Sequence, residues 1–442
     1  MVSEELAKDP GTRRKTRETD KRSAPAERAA GHEVIQRAME AKDSHRRDLE
    51  ETSPWEQKAL AAANAIRTRP RGPLESFVRA GGAFPIVMLA CSRPHYLRES
   101  LKSLLAVRGV DRRHILVAQD GKQVDVAGVV REAGIELVQS HHPPAPTRRD
   151  PSVPIALHYK FALKKAFERY PTAPGIIIVE EDLTFSPDFY EYFSHSVPAL
   201  DHDDSIMLLS AWNDNGFRDV SRDPAALHRT SFFPGLGWLL TRRLYDELII
   251  KWPSQHWDHW LRSPDQHKGR DCVFPEVPRT FHGGVKGSFM NQETHDRYFD
   301  RIAHQRDPAF SWDDAQLWLG LPPYLVATKF VYEAWTLSQI TAPSPIARTG
   351  QTVTWTQEEE PSTAVFWLRP TNKQDWERLA QFYGLWHERD RSAHKKMLRF
   401  WRHGRRTILI DYGISPYKTR KQPDAPVITA AELLQLESDK QR

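Results

Sequence analysis

Three carboxylates stand together at Glu180, Glu181 and Asp182, directly after the apolar run Ile176 to Val179. Such a run makes a strand buried on both faces, so a core strand ends in concentrated negative charge. Carboxylates clustered beyond a strand's carboxyl end can hold a hard divalent cation against phosphate oxygens; a solvated acidic turn is the plainer alternative. Another acid, Asp258, lies between Trp257 and Trp260, which suits a carboxylate set beside a sugar platform. The stretch Phe281 to Phe289 packs three glycines, Lys286 and Ser288 into nine positions. Its amides and hydroxyl have the chemistry of a mobile loop that closes over a diphosphate. Arg93 can bind a base or phosphate, or form a surface ion pair. Asp120 can accept from a uracil N–H or from ribose hydroxyls, or cap its turn. His158 sits on a helix face, where a histidine is usually structural.

The elements that must position these groups alternate. Phe84 to Ala90 reads as a buried strand, followed by the Cys91-Ser92-Arg93-Pro94 turn and a helix over Tyr96 to Ala106. His114 to Ala118 is the next strand, Val124 to Ala133 a helix, and Ile135 to Val138 a further strand. Ile155 to Tyr170 is an amphipathic crossover helix leading into the acidic strand end. After the carboxylates, Ser186 and Pro187 read as N-cap and first helical residue, with Asp188 in the first turn of a helix through Tyr192. Ser205 to Leu209 is another strand, and Phe232 to Trp238 gathers two glycines and three aromatics. That suits close approach to a flat ligand such as a sugar ring, and core packing explains the aromatics nearly as well. The alternation implies an α/β domain with a mainly parallel sheet covered by helices on both faces.

A chain of 442 residues supports one large or two ordinary domains. The net charge of +5 comes from basic residues crowded at the ends, so it is no focused nucleic-acid footprint. No apolar stretch approaches the ~18 residues of a membrane span, and the N-terminus lacks the apolar centre of a signal peptide. As written, nothing anchors or exports the chain, which reads as soluble. Its two cysteines, Cys91 and Cys272, are expected to be reduced thiols. Four regions are expected: 1–80, disordered to about residue 30 and then helical; 81–340, the α/β domain; 341–420, a small α+β lobe; and 421–442, a polar tail. The helices of the first region are read at His32 to Ala41 and after Ser53-Pro54-Trp55-Glu56, a capping sequence. The tail carries a short helix at Ala430 to Leu436.

Taken in order, the motifs resemble the glycosyltransferase family of N-acetylglucosaminyltransferase I and the protein O-linked-mannose β-1,2-N-acetylglucosaminyltransferase. The matching pieces are Ala90 to Leu97 (ACSRPHYL), His158 to Leu163 (HYKFAL), VEEDLTFSPDFYEYF, SAWNDNG, PGLGW, Trp257 to Arg262, and the loop serine Ser288. The likeness runs from about Phe84 to about Tyr417, and the EED triplet and FWRHGRRTILIDYGISPYK look closer to the O-mannose branch. The resemblance implies a GT-A type, Rossmann-like fold holding UDP-N-acetylglucosamine and Mn2+, with inversion at the anomeric carbon and a mannose-containing glycan as acceptor. By the same resemblance Asp182 is the Mn2+ ligand, Glu181 faces the ribose and Glu180 the transferred sugar. Arg93, Asp120 and His158 match nucleotide contacts, Ser288 a phosphate contact, and Asp258 the catalytic base, with Trp257 and Trp260 orienting the acceptor. The family's luminal members carry a membrane anchor and disulfides; here Leu208 stands where a cysteine is usual, leaving Cys272 without that partner. The alternatives are the same fold with another nucleotide sugar or acceptor, as in surface polysaccharide assembly, or a catalytically silent nucleotide- or glycan-binding relative.

Overall fold

The computed structural model describes residues 53–140, 150–356, 362–369 and 372–440. The disorder expected before residue 30, the helix expected at His32 to Ala41 and most of the loop before Pro154 lie outside them. The described residues from Pro54 onward form one compact unit.

Its centre is an eight-stranded sheet. Four strands, β1 (Ile86–Ala90), β2 (Ile115–Asp120), β3 (Glu136–Ser140) and β4 (Gly175–Glu180), pair in parallel in the order β3-β2-β1-β4. This half is the Rossmann-like array that the alternating sequence implies. Two short strands stand apart as an antiparallel ribbon, β5 (Leu183–Phe185) and β10 (Thr280–His282). The large sheet continues through β6 (Ile206–Ser210), β7 (Leu227–Thr230), β8 (Trp238–Thr241) and β9 (Asp271–Pro275), in the spatial order β8-β6-β9-β7. Here β8 runs antiparallel to both β4 and β6, and β7 antiparallel to β9, so the sheet as a whole is mixed.

Alternate residues of β1 explain why it reads as an unbroken apolar run. Ile86, Met88 and Ala90 enter the core under the helices Pro94–Leu105, Val124–Glu132 and Phe189–His202. Val87 and Leu89 enter the opposite core, against Ala156, Ala162 and Leu163 of the helix Ser152–Arg169. Both faces are dry, so neither needs a polar residue.

The helix Phe189–His202 starts later than its capping sequence predicts. Ser186 donates its hydroxyl to the Arg279 carbonyl at 3.1 Å and does not cap the helix. The Asp188 carboxylate accepts from Arg279 Nε at 2.7 Å and Trp312 Nε1 at 2.8 Å, both fully inside the protein. A tertiary ion pair has taken the residues that a local cap would use.

The C-terminal lobe is built on β13 (Thr363–Leu368), β14 (Met397–Arg402), β15 (Arg405–Asp411) and β16 (Val427–Ile428), ordered β14-β15-β13-β16, with the ribbon β11 (Ile346–Thr349) and β12 (Thr352–Trp355) beside it. The segment after 421, read as polar with a short helix, supplies β16 and a longer helix, Ala430–Lys440, whose Leu433 and Leu436 are buried with Leu379 and Tyr383. That core also takes in Trp212, Phe217 and Val220, so the lobe shares its interior with the segment after β6. The helix Pro54–Arg67 starts where Ser53-Pro54-Trp55-Glu56 predicts, and packs Ala59, Ala63 and Ile66 against Val331 and Trp335 of the helix Lys329–Ile340. Among the described residues no helix is long and apolar enough to cross a membrane. Both cysteines are free thiols, and Leu208 lies opposite Cys272 in the β6–β9 register.

Candidate active site

The acidic triplet turns the corner between β4 and β5. Glu180 is the last residue of β4, and the ribbon fixes the far side of the corner: Leu183 pairs with His282, and the Gly283 amide donates to the Asp182 carbonyl at 2.9 Å. Three carboxylates of one corner therefore meet three different environments.

Glu181 is turned inward. Its Oε2 accepts from the Cys91 amide at 3.0 Å and its Oε1 from Arg93 Nε at 2.8 Å, with the residue 2 % exposed. Both oxygens of this carboxylate serve to fix the β1 turn and the arginine. Burial pushes its carboxyl up, while the Cys91 and Arg93 bonds oppose that.

Asp182 receives Arg93 Nη2 at 2.9 Å and His282 Nε2 at 3.4 Å, both on Oδ2. Burial disfavours its charge, but His282 and then Arg93 outweigh burial and hold the carboxyl at about 2. Its other oxygen, Oδ1, is buried without a hydrogen-bond partner. A buried anionic acceptor with no donor calls for a cation or donor from outside the chain. Gly284 leaves the adjoining space open, because a Cβ there would fall 2.4 Å from Asp182 Oδ2. Among the described residues no group of three or more His, Cys, Asp or Glu is arranged to hold a metal alone. Asp182 fits a metal that takes its remaining ligands from a bound diphosphate and water.

Glu180 accepts from the Tyr159 hydroxyl at 2.5 Å. Burial, then the Asp182 charge, raise its carboxyl against that bond. Burial, then the charges of Glu180, Asp258 and Asp182, push the Tyr159 hydroxyl well above its ordinary value, so it remains a donor. One tyrosine thus meets Glu180 through its hydroxyl and Trp257, the neighbour of Asp258, through its ring.

Arg93 also donates Nη1 to the Lys286 carbonyl at 3.2 Å and lies over the Tyr96 ring, whose hydroxyl accepts from the Val285 amide at 3.3 Å. The loop carrying exposed Ser288 is therefore tied to the β1 turn.

Asp120 ends β2, and its Oδ1 lies 3.0 Å from Ser140 Oγ. His158 Nε2 donates to the Ala118 carbonyl at 3.0 Å, with Nδ1 3.3 Å from the same hydroxyl. The buried histidine braces β2 against β3, and Asp120 stands at the open end of that brace.

Asp258 lies in the short helix Trp257–Leu261, where Arg262 Nη1 meets its Oδ2 at 2.7 Å. Trp257 is a core residue, 7 % exposed, 5.6 Å from Trp252, 6.0 Å from Trp238 and 4.0 Å from Tyr159 between ring centroids. Rings from three other segments thus close in on the indole that was expected to orient the acceptor. Trp260 is half-buried, with its ring 5.7 Å from Trp252.

Tyr159, His282 and Arg262 have roles at the site that sequence reasoning did not assign. Arg262 was legible, since Asp258 and Arg262 are four apart on one helical face. Tyr159 and His282 belong to quoted motifs, but their partners lie far along the chain.

The GNT-I family model matches residues 12–417 of this chain. An Arabidopsis thaliana alpha-1,3-mannosyl-glycoprotein 2-beta-N-acetylglucosaminyltransferase is 39 % identical over 224 residues, covering 48 % of this chain and 50 % of that protein. The chain thus spans about half the length of this curated relative. Solved structures with some likeness include a mannosyltransferase from Pyrobaculum calidifontis in complex with GDP-Man and Mn2+, at 13 % identity and TM-score 0.29, covering 51 % of this chain and 69 % of that one. S. aureus TarS in complex with UDP-GlcNAc gives 13 % identity and TM-score 0.32, covering 46 % and 59 %. Both scores are low, and the fold stands on its own strands. With nearly its whole length matched by the one model, the chain belongs to the GNT-I family.

Proposed function

We propose that this protein is a GT-A type, inverting glycosyltransferase that moves N-acetylglucosamine from UDP-GlcNAc to O2 of a mannose-type acceptor, forming a β-1,2 linkage. The observation that carries the reading is the Asp182 carboxylate, kept ionised by Arg93 and His282 and retaining one buried oxygen without a partner. Family membership and the Arabidopsis relative's name support the transferred sugar and the acceptor class.

In this reading the acceptor's O2 attacks the anomeric carbon as the bond to the UDP oxygen breaks on the opposite face. Asp258 takes the O2 proton, and one base suffices for a single inversion. Arg262 orients Asp258 by holding Oδ2. When bound, Mn2+ neutralises the charge left on the departing diphosphate, and Asp182 is the residue that would hold it. Glu180, oriented by Tyr159, meets the transferred sugar, and Arg93 with the Ser288 loop meets the phosphates. Asp120 lies where the nucleoside would bind, with His158 behind it. Residues 81–340 would be the catalytic region and 341–420 a supporting lobe.

The test is mass spectrometry of products from mixed UDP-sugars, Mn2+ and a panel of mannosides. The expected product is a mannoside heavier by one N-acetylhexosamine, lost in Asp258→Asn and Asp182→Ala while both variants keep the wild-type circular dichroism. Turnover with another donor alone would replace the donor assignment. The Asp258–Arg262 pair favours one other reading, a silent binder whose base is engaged; UDP-GlcNAc binding without turnover would establish it.

A further inference from the structure

A groove of about 470 Å3 opens beside the C-terminal lobe, lined by Arg218, Arg222, Arg301 and Arg402 with Asp219 as its one carboxylate. The arginines come from separate places: the segment after β6, the turn after Phe299, and the end of β14. Arg218 lies 3.8 Å from Asp300 and Arg301 4.0 Å from Asp219, both wide pairs at the surface. Such pairs contribute little. Arg222 and Arg402 have no acidic partner among the described residues, and Arg402 Nε is buried without a hydrogen-bond partner. Four like charges repel, and an oxyanion between them would reverse the sign of that interaction.

Two of the guanidiniums also lie over aromatic rings. Arg402 lies over the Phe382 ring at 5.1 Å, and Arg301 over Phe217 at 5.0 Å. Stacked guanidiniums keep their N–H edges available for bidentate bonds to oxyanions. Gly384, at φ +71°, makes room for this, since a Cβ would stand 2.7 Å from Arg301 Nη2.

We propose that this groove binds a phosphate or sulfate group, either free or carried on a glycan. It shares no residue with the Asp182 and Asp258 constellation, so its failure would leave the transferase reading intact. The test titrates the full chain calorimetrically with inorganic phosphate and with glucose 6-phosphate at low ionic strength. Saturable binding is expected, weakened at least about tenfold in Arg222→Gln/Arg402→Gln, because charged hydrogen bonds are lost. Asp219→Asn should tighten binding, which keeps the test alive if the double variant unfolds. Tighter binding of the sugar phosphate assigns the anion to a glycan, and equal binding to free phosphate; either supports the site. Absence of saturable binding, or affinities that all these substitutions leave unchanged, overturns it.

Discussion

Tyr159 shows how one hydroxyl can serve a charged corner. Its ring packs 4.0 Å from Trp257 while its oxygen reaches Glu180, so packing and hydrogen bonding can be separated by a single atom. Tyr159→Phe keeps the ring and leaves the Glu180 carboxyl short of a donor. We expect urea denaturation to report a loss of about 1–3 kcal/mol, the usual cost of an unsatisfied buried polar group. Wild-type stability in that variant would mean that water replaces the hydroxyl. Arg93 has a different task, because it joins two carboxylates and a loop carbonyl. Arg93→Lys keeps the charge but loses the fork, so Ser288 and its neighbours should gain hydrogen exchange with the fold otherwise unchanged. Protection equal to wild type would remove the arginine's holding role.

At the scale of elements, the β5–β10 ribbon decides where Asp182 points. Gly284→Ala would place a methyl 2.4 Å from Asp182 Oδ2 and 3.0 Å from His282 Cε1, so the carboxylate must move. Mn2+ affinity, read by electron paramagnetic resonance, is expected to fall at least about tenfold, as one good ionic ligand is misplaced. Unchanged affinity would show that the metal, if bound, sits elsewhere. The Arg279–Asp188 pair locks the same ribbon to the helix Phe189–His202. Asp188→Ala strands a buried guanidinium, and calorimetric unfolding should register about 3–5 kcal/mol of destabilisation. These elements also mark the edge of what the sequence discloses. The strands β1, β2, β4 and β6 were legible because two dry faces demand continuous apolar residues. The three-residue strands β5 and β10 carry too little pattern to be seen, and β7 hides its burial behind His228 and Arg229. Those two are satisfied by Glu276, Asp203 and Asp271, partners that no local window contains. Asp182 and Asp258 could be singled out from their neighbours, whereas the burial of Trp257 depends on rings brought in by other segments.

Across the whole molecule, one buried pair joins the sheet to the C-terminal lobe. Glu276 accepts from His228 at 3.0 Å and from Trp401 Nε1 at 2.7 Å, and from the Arg222 and Asp223 amides. Burial holds His228 down at about 4 despite the pull of Glu276, so the imidazole is neutral at pH 7 and donates to an ionised carboxylate. Burial likewise holds His304 at about 4. Unfolded histidines bind protons below about 6.5, so between that pH and about 4 the unfolded chain binds more protons than the folded one. Stability is therefore full above pH 6.5 and falls on acidification, by roughly 3 kcal/mol for His228 alone. The melting temperature should drop between pH 6.5 and 4.5, before most carboxylates titrate. A level profile across that window would exclude buried neutral imidazoles.

The column of rings through Trp252, Trp257 and Tyr159 ends at Glu180, so the two halves of the proposed cleft share one support. Selectivity for a new acceptor would then be easier to evolve or engineer at exposed His259 or half-buried Trp260 than at Trp257. A change at the inner indole would reach the donor side as well, and both partners of the reaction would be retuned at once.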